Sequence, residues 1–166
     1  MEKNIQDPAA LKIRRAENRD TEAVMYLLLQ VGMVHHRGRP DLFSADSTKY
    51  RPDQLREIFA DDDRPVFVCT DSDDRVLGYA FCVMEEVRGD NILCDRKTLY
   101  IDDLCVDEKL RGKEIGTTLY NYVADYAKKA GCYNLTLNVW SCNPAAMSFY
   151  EKCGLVPQKT GMEKIL

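Results

Sequence analysis

The stretch "YIDDLCVDEKLRGKEIGTTLYNYVADYAKKAG", Tyr100 to Gly131, holds three kinds of sequence in succession. It enters on a β-rich run, Thr98 to Val106, with Asp102 and Asp103 in the middle. It leaves as a helix: Ile115, Leu119, Tyr122, Val123, Tyr126 and Ala127 fall on one stripe. Lys128 and Lys129 suit the negative end of the helix dipole, and Gly131 fits the position just past the end. Between the two lies "RGKEIG", Arg111 to Gly116, a basic turn flanked by glycines. A helix N-terminus presents about four unpaired amides and roughly half a positive charge, a setting that accepts a pyrophosphate. Gly112 and Gly116 permit close backbone approach, Arg111 and Lys113 add positive charge, and Thr117 adds a hydroxyl donor. Glu114 stands among them with the opposite charge. Alone, the hexapeptide reads more readily as an ordinary strand-to-helix connection, because short glycine motifs recur by accident.

Working outward, "LKIRRA" (residues 11 to 16) reads as a first strand. A helix follows, capped by Asn18 or Asp20, with Val24, Leu27, Leu28 and Val31 at helical spacing. "HHRGRPDLFSADSTKY" reads as a long loop, and Pro52 opens a short helix with Leu55, Ile58 and Phe59 on its apolar face. "PVFVCT" and "VLGYAFCVM" are β-rich runs joined by the turn-forming "DSDD", the best hairpin in the chain. Beyond the opening stretch, "LTLNVW" alternates with period two. "NPAAMSFYEKCG" marks both ends of a helix with Asn143, Pro144 and Gly154. "LVPQ", a turn at Thr160-Gly161 and "MEKIL" are expected to form a closing hairpin. The order is β-α-α-β-β-β-α-β-α-β-β. It predicts one mixed α/β domain over residues 1–166, with about six to seven strands and about four helices.

Bulk properties narrow the function. The chain has 166 residues, 45% apolar and 30% charged, in keeping with a globular domain that has a real core. The net charge of −4 argues against a nucleic-acid binder. No run approaches the roughly 18 apolar residues of a membrane span, and "MEKNIQDPAA" contains no signal-like apolar segment. The seven cysteines are odd in number and lack CxxC spacing, which reads as buried reduced thiols in a cytoplasmic protein rather than zinc ligands or disulfides. His35 and His36 are adjacent and cannot share a ligand from a regular helix, so no metal is expected.

Context changes the weight of the turn. From Thr98 to Pro157 the sequence closely resembles the GNAT superfamily of N-acetyltransferases. That family's turn is Arg or Gln, two residues, Gly, one residue, then Gly or Ala, matched here by Arg111 and Gly116, with Glu114 where the pattern has glycine. The strand ending "LCV" precedes it, and Asn143 and the Tyr150 of "FYEKCGL" follow in order. The resemblance implies a GNAT fold with a centrally splayed sheet, acetyl-CoA as cosubstrate without a metal, and acetyl transfer to a primary amine. It implies that Arg111, Gly112, Lys113, Glu114, Ile115, Gly116 and Thr117 wrap the pyrophosphate. Leu104, Cys105 and Val106 would line the pantetheine arm, contacting it and the thioester carbonyl through backbone, and Asn143 would bind the arm. "YIDDLCV" also resembles the diamine acetyltransferases, which makes Asp102 the expected base and Asp103 an amine contact. Adjacent strand residues face opposite sides, so only one of them enters a given cleft unless a bulge intervenes. Tyr150 is the expected general acid, because a phenol pKa of about 10 suits an alkyl thiolate. Ion pairing would equally account for the two aspartates, and core packing for the tyrosine. The acidic balance favours a small, polyamine-like acceptor. A protein or peptide acceptor, or a non-catalytic coenzyme A-binding module, is the alternative, and edge strands admit a homodimer.

Overall fold

The computed structural model describes residues 11–166. The elements are β1 (Lys12–Arg15), α1 (Thr21–Gly38), α2 (Pro52–Phe59), β2 (Val66–Thr70), β3 (Val76–Val87), β4 (Arg96–Val106), α3 (Ile115–Lys129), β5 (Asn134–Leu137) and α4 (Pro144–Lys152). The five strands form one sheet in the order β1-β2-β3-β4-β5. The first three pairings are antiparallel, and only β4–β5 is parallel, as a strand–helix–strand crossover through α3 requires.

Side-chain alternation sorts the interior into two layers. Val66, Val68, Tyr79, Phe81 and Cys105 pack with Val24, Leu27 and Leu28 of α1 and with Leu55, Ile58 and Phe59 of α2. Phe67, Cys69, Ala80, Cys82, Leu99 and Ile101 pack on the other face against Ile115, Leu119, Val123 and Ala127 of α3. Burying a large apolar side chain contributes about 1.5–3 kcal/mol. The four buried residues of α3 therefore fix the helix, and its N-terminus, far more firmly than propensity could. Tyr122 and Tyr126 from the expected stripe stack edge-on against Phe67 instead of being fully buried.

Gly78 of β3 sits opposite Val106. A Cβ there would lie 2.7 Å from the Cys105 carbonyl oxygen and 3.3 Å from Val106 Cα, so any side chain would push β4 away.

Two expectations change. The closing hairpin does not form: residues 155–166 carry no strand. The edge offered by β5 is four residues long, Pro157 lacks an amide donor, and Val156, Met162, Ile165 and Leu166 are exposed. Among the described residues the sheet therefore has five strands rather than six to seven. Glu163 in this tail pairs with Arg39 beyond α1. The cysteines are also less uniform than expected. Cys69, Cys82 and Cys105 are buried, but Cys132 and Cys153 are half-buried and Cys94 and Cys142 exposed, all as free thiols.

Candidate active site

The site begins with a fault in the sheet. From Gly78↔Val106 to Phe81↔Asp103 the register between β3 and β4 is regular, but the next pair is Cys82↔Ile101. Asp102 is thus an extra residue, a β-bulge. Leu104, Ile101 and Leu99 all belong to the α3 layer. A regular strand would put one residue of the opposite face between Leu104 and Ile101, and here there are two. The bulge therefore turns Asp102 and Asp103 to the same face, the one covered by α1 and α2.

Their partners differ. Asp102 Oδ2 accepts from Tyr50 Oη at 2.8 Å, and its Oδ1 lies 2.7 Å from Lys49 Nζ. Both partners come from the loop between α1 and α2. Asp103 Oδ2 accepts from Tyr79 Oη at 2.8 Å. Tyr79 is fully buried, and burial together with the charge of Asp103 holds its phenol in the protonated, donating form. Burial pushes the Asp103 carboxyl up to about 6; Tyr79 and the Lys49 charge pull the other way, and the neighbouring Asp102 adds to the rise. Burial, followed by the bond to Asp102, pushes Tyr50 up to about 12.

On the other side of β4 the sheet opens. β5 pairs only from Thr98↔Asn134 to Ile101↔Leu137, so among the described residues β4 from Asp102 onward has no strand paired on that side. A cleft of about 360 Å³ fills the gap, lined by Leu104, Val106, Leu110, Arg111, Gly112, Glu114, Ile115, Gly116, Thr117 and Phe149. The N-terminus of α3 forms one end. Thr118 makes the first bond of the helix, to Glu114 O at 2.9 Å, so the amides of Ile115, Gly116 and Thr117 have no intrahelical acceptor. Gly112 turns the chain at φ 80°, and Glu114 follows at φ 59°, also left-handed. The side chain of Glu114 is exposed. Gly116 lies against Phe149: a Cβ there would stand 3.4 Å from the ring, an ordinary van der Waals contact. Among the described residues, no group of three His, Cys, Asp or Glu side chains is placed to hold a metal ion. No helix there is long and apolar enough to cross a membrane.

A splayed sheet with free helix amides at its cleft, and a bulged acidic strand whose carboxylates face the α1 and α2 layer, coincide with a family match: the profile of the Acetyltransferase (GNAT) family covers residues 33–155. The chain belongs to the GNAT family. A glucosamine 6-phosphate N-acetyltransferase of Arabidopsis thaliana is 31% identical over 105 residues, 55% of this chain and 66% of that protein. The rice protein "Probable glucosamine 6-phosphate N-acetyltransferase 2" is 29% identical over 164 residues, 92% of this chain and 86% of its own length. A mutant of the BH1408 protein from Bacillus halodurans superposes with a TM-score of 0.90 at 30% identity, covering 93% of this chain and 99% of that one. The chain is accordingly an acetyl-CoA-dependent N-acetyltransferase, and its fold is the GNAT fold expected from the sequence.

The GNAT positions expected from the sequence fall into two groups. Leu104, Val106, Arg111, Gly112, Glu114, Ile115, Gly116 and Thr117 meet at the cleft. Lys113 does not line it, and the Cys105 thiol lies in the opposite layer, 3.6 Å from Leu27 O, leaving only its backbone on the open strand. Asn143 caps α4, accepting from the Ala146 amide at 3.1 Å. Tyr150 is half-buried and packs edge-on against Phe149, at 5.0 Å between ring centroids. Burial raises its phenol above the ordinary value, and the charge of Asp103 adds to this. Lys49, Tyr50, Tyr79 and Phe149 were not anticipated as site residues. Tyr79 did carry a signal, since a tyrosine inside an apolar strand needs a partner for its hydroxyl.

Proposed function

We propose that the chain moves the acetyl group of acetyl-CoA to a primary amine of a small molecule, with Asp103 accepting the amine proton and Tyr150 supplying a proton to the leaving sulfur. The bulge at Asp102 carries this reading, because it turns two carboxylates to one face beside the unpaired edge of β4.

An alkyl amine has a pKa of about 10.4, so at neutral pH roughly one molecule in a thousand is a free nucleophile, a deficit of about 4 kcal/mol. A positioned base recovers part of it, best with a pKa close to the working pH. Asp103, raised to about 6, fits that need. Asp102 was the base expected from the family resemblance, but it carries Lys49 and Tyr50, which favours a scaffolding role. Acetyl-CoA supplies the activated carbonyl. The free amides of Ile115, Gly116 and Thr117, with the positive charges of Arg111 and Lys113, suit its pyrophosphate. The open backbone of Leu104 and Val106 suits its arm, as do Gly112 and the apolar wall of Leu110 and Phe149. Glu114 is compatible because the amides of Ile115, Gly116 and Thr117, not its exposed side chain, are the binding groups here.

For the acceptor, Lys49 already neutralises one carboxylate of the pair, leaving one for an incoming ammonium. That favours an amine on a neutral or anionic body over a linear polyamine. The relatives named for glucosamine 6-phosphate point the same way. The test is release of free thiol from acetyl-CoA with a panel of amino sugars, aminoglycosides, polyamines and peptide N-termini. Turnover on an amino sugar at least tenfold above a polyamine is the expected result. Preference for polyamines or peptides would overturn the acceptor assignment, and coenzyme A binding without thiol release from any amine would make the chain a binding module.

A further inference from the structure

We propose that Lys49 is itself an acceptor, a self-acetylation site of this chain. The inference rests on the acid pair being the amine-binding site, and it concerns an amine that the fold already delivers there. The Lys49 ammonium stands 2.7 Å from Asp102 Oδ1 and 3.4 Å from the Asp102 carbonyl oxygen. Asp102 is the bulged residue itself, next to Asp103 and two positions before Leu104 on the open strand. The charge of Lys49 also acts on the Asp103 carboxyl, which it pulls downward. Tyr50, the next residue, is clamped by its own bond to Asp102 and by stacking on Phe81 at 5.4 Å between ring centroids. The clamp holds the backbone beside the lysine while the side chain of Lys49 stays 43% exposed. A lysine that only braced the loop would need no second acid within range. Asp102 holds the ammonium directly, and Asp103 is the next residue on the same face of β4.

The step balances without any further reagent. Asp103 takes one proton from the Lys49 ammonium, and the neutral Nζ forms a C–N bond to the acetyl carbon as the C–S bond breaks. The departing sulfur takes a proton from Tyr150, the second proton of the new amide nitrogen restores the Tyr150 phenol, and Asp103 releases the first to water. One acetyl-lysine and one free coenzyme A thiol result. The modified side chain has lost its charge, so Asp102 loses its ion pair and the loop loses one tie to β4.

The experiment incubates the whole protein with isotope-labelled acetyl-CoA and no added amine, then maps the label by peptide mass spectrometry. Label concentrated at Lys49 is expected, approaching one acetyl per chain with one matching thiol. Its first-order rate should not depend on protein concentration. Lys49→Arg keeps the ion pair but should abolish that label, and Asp103→Asn should slow it at least tenfold without changing the background at other lysines. Label spread over exposed lysines as in heat-unfolded protein would overturn the proposal, as would a rate at Lys49 unaffected by Asp103→Asn. The amine panel run in parallel separates the two readings. Turnover on added amines without label at Lys49 defeats this inference alone, whereas no thiol from either source defeats the site assignment with it.

Discussion

The cleft at the α3 end of β4 and the acid pair at its bulge are built in opposite ways. At the α3 end, recognition groups are backbone: the amides of Ile115, Gly116 and Thr117, and turns at Gly112 and Glu114. Their geometry follows from residues within one short stretch. At the acid end, recognition groups are side chains gathered from distant parts of the chain. Tyr50 reaches Asp102 across 52 residues, and Tyr79 reaches Asp103 across 24. A backbone site tolerates a change of side chain provided the φ angle survives. A side-chain site does not, so substitutions should act strongly at the acid end and weakly at the helix end.

The largest effect should come from separating the two aspartates. Asp103→Asn is expected to lower turnover by about 10²–10⁴-fold, the usual span for a lost general base, with coenzyme A affinity unchanged by calorimetry. The wild-type rate should fall as pH drops through about 6, and the variant should lose that inflection. Stability should move the other way. The folded Asp103 pKa lies above its unfolded value, so its contribution to stability is full in acid and is lost as pH rises through about 6. Above neutrality Asp103→Asn should therefore melt higher than wild type, and the gap should close on acidification. Asp102→Asn removes a partly exposed ion pair of the kind that contributes about 0.2–1 kcal/mol, and turnover should fall less than about tenfold. If Asp102→Asn proves the more damaging, the roles are reversed and the partners of Asp102 do not mark it as scaffold.

The same contrast accounts for what could be read from the sequence. Caps and turns were legible because each is decided locally: Asn143 caps α4, and Gly131 and Gly154 take the left-handed φ expected of a residue just past a helix end. The β2–β3 hairpin and the layers of α1, α2 and α3 followed from periodicity. The bulge was not legible, since it exists only as a mismatch between β4 and β3. Lys49 and Tyr50 were silent because their region has no periodic pattern and their partners are tertiary. "MEKIL" was over-read for a related reason. Strand propensity is local, but a strand needs an edge, and β5 offers only four residues.

Tyr150→Phe should rank next. The ring still packs on Phe149, so stability should barely change. Turnover should drop by about 10²-fold if the phenol protonates the departing sulfur. Burial keeps that phenol protonated at neutral pH, which suits it as a donor and rules it out as a base there. Equal activity in the variant would make Tyr150 a packing residue and extend the tolerance of the helix end to α4.

Glu114→Gly should have the smallest effect on function and a clear one on stability. Residue 114 sits at φ 59°, where a residue with a Cβ is strained by roughly 1–2 kcal/mol. Glycine removes that strain but loses about 0.4–1 kcal/mol through the unfolded chain. The variant should gain up to about 1.6 kcal/mol, read as a higher melting temperature. The carboxylate is exposed, and in water unit charges a few Å apart interact only weakly, so coenzyme A affinity should change by less than about fivefold. A tenfold rise in affinity would mean that the carboxylate faces the pyrophosphate, and a tenfold fall that it takes part in binding. Either would show a side chain deciding recognition at the helix end, and the division between a backbone site and a side-chain site would fail there first.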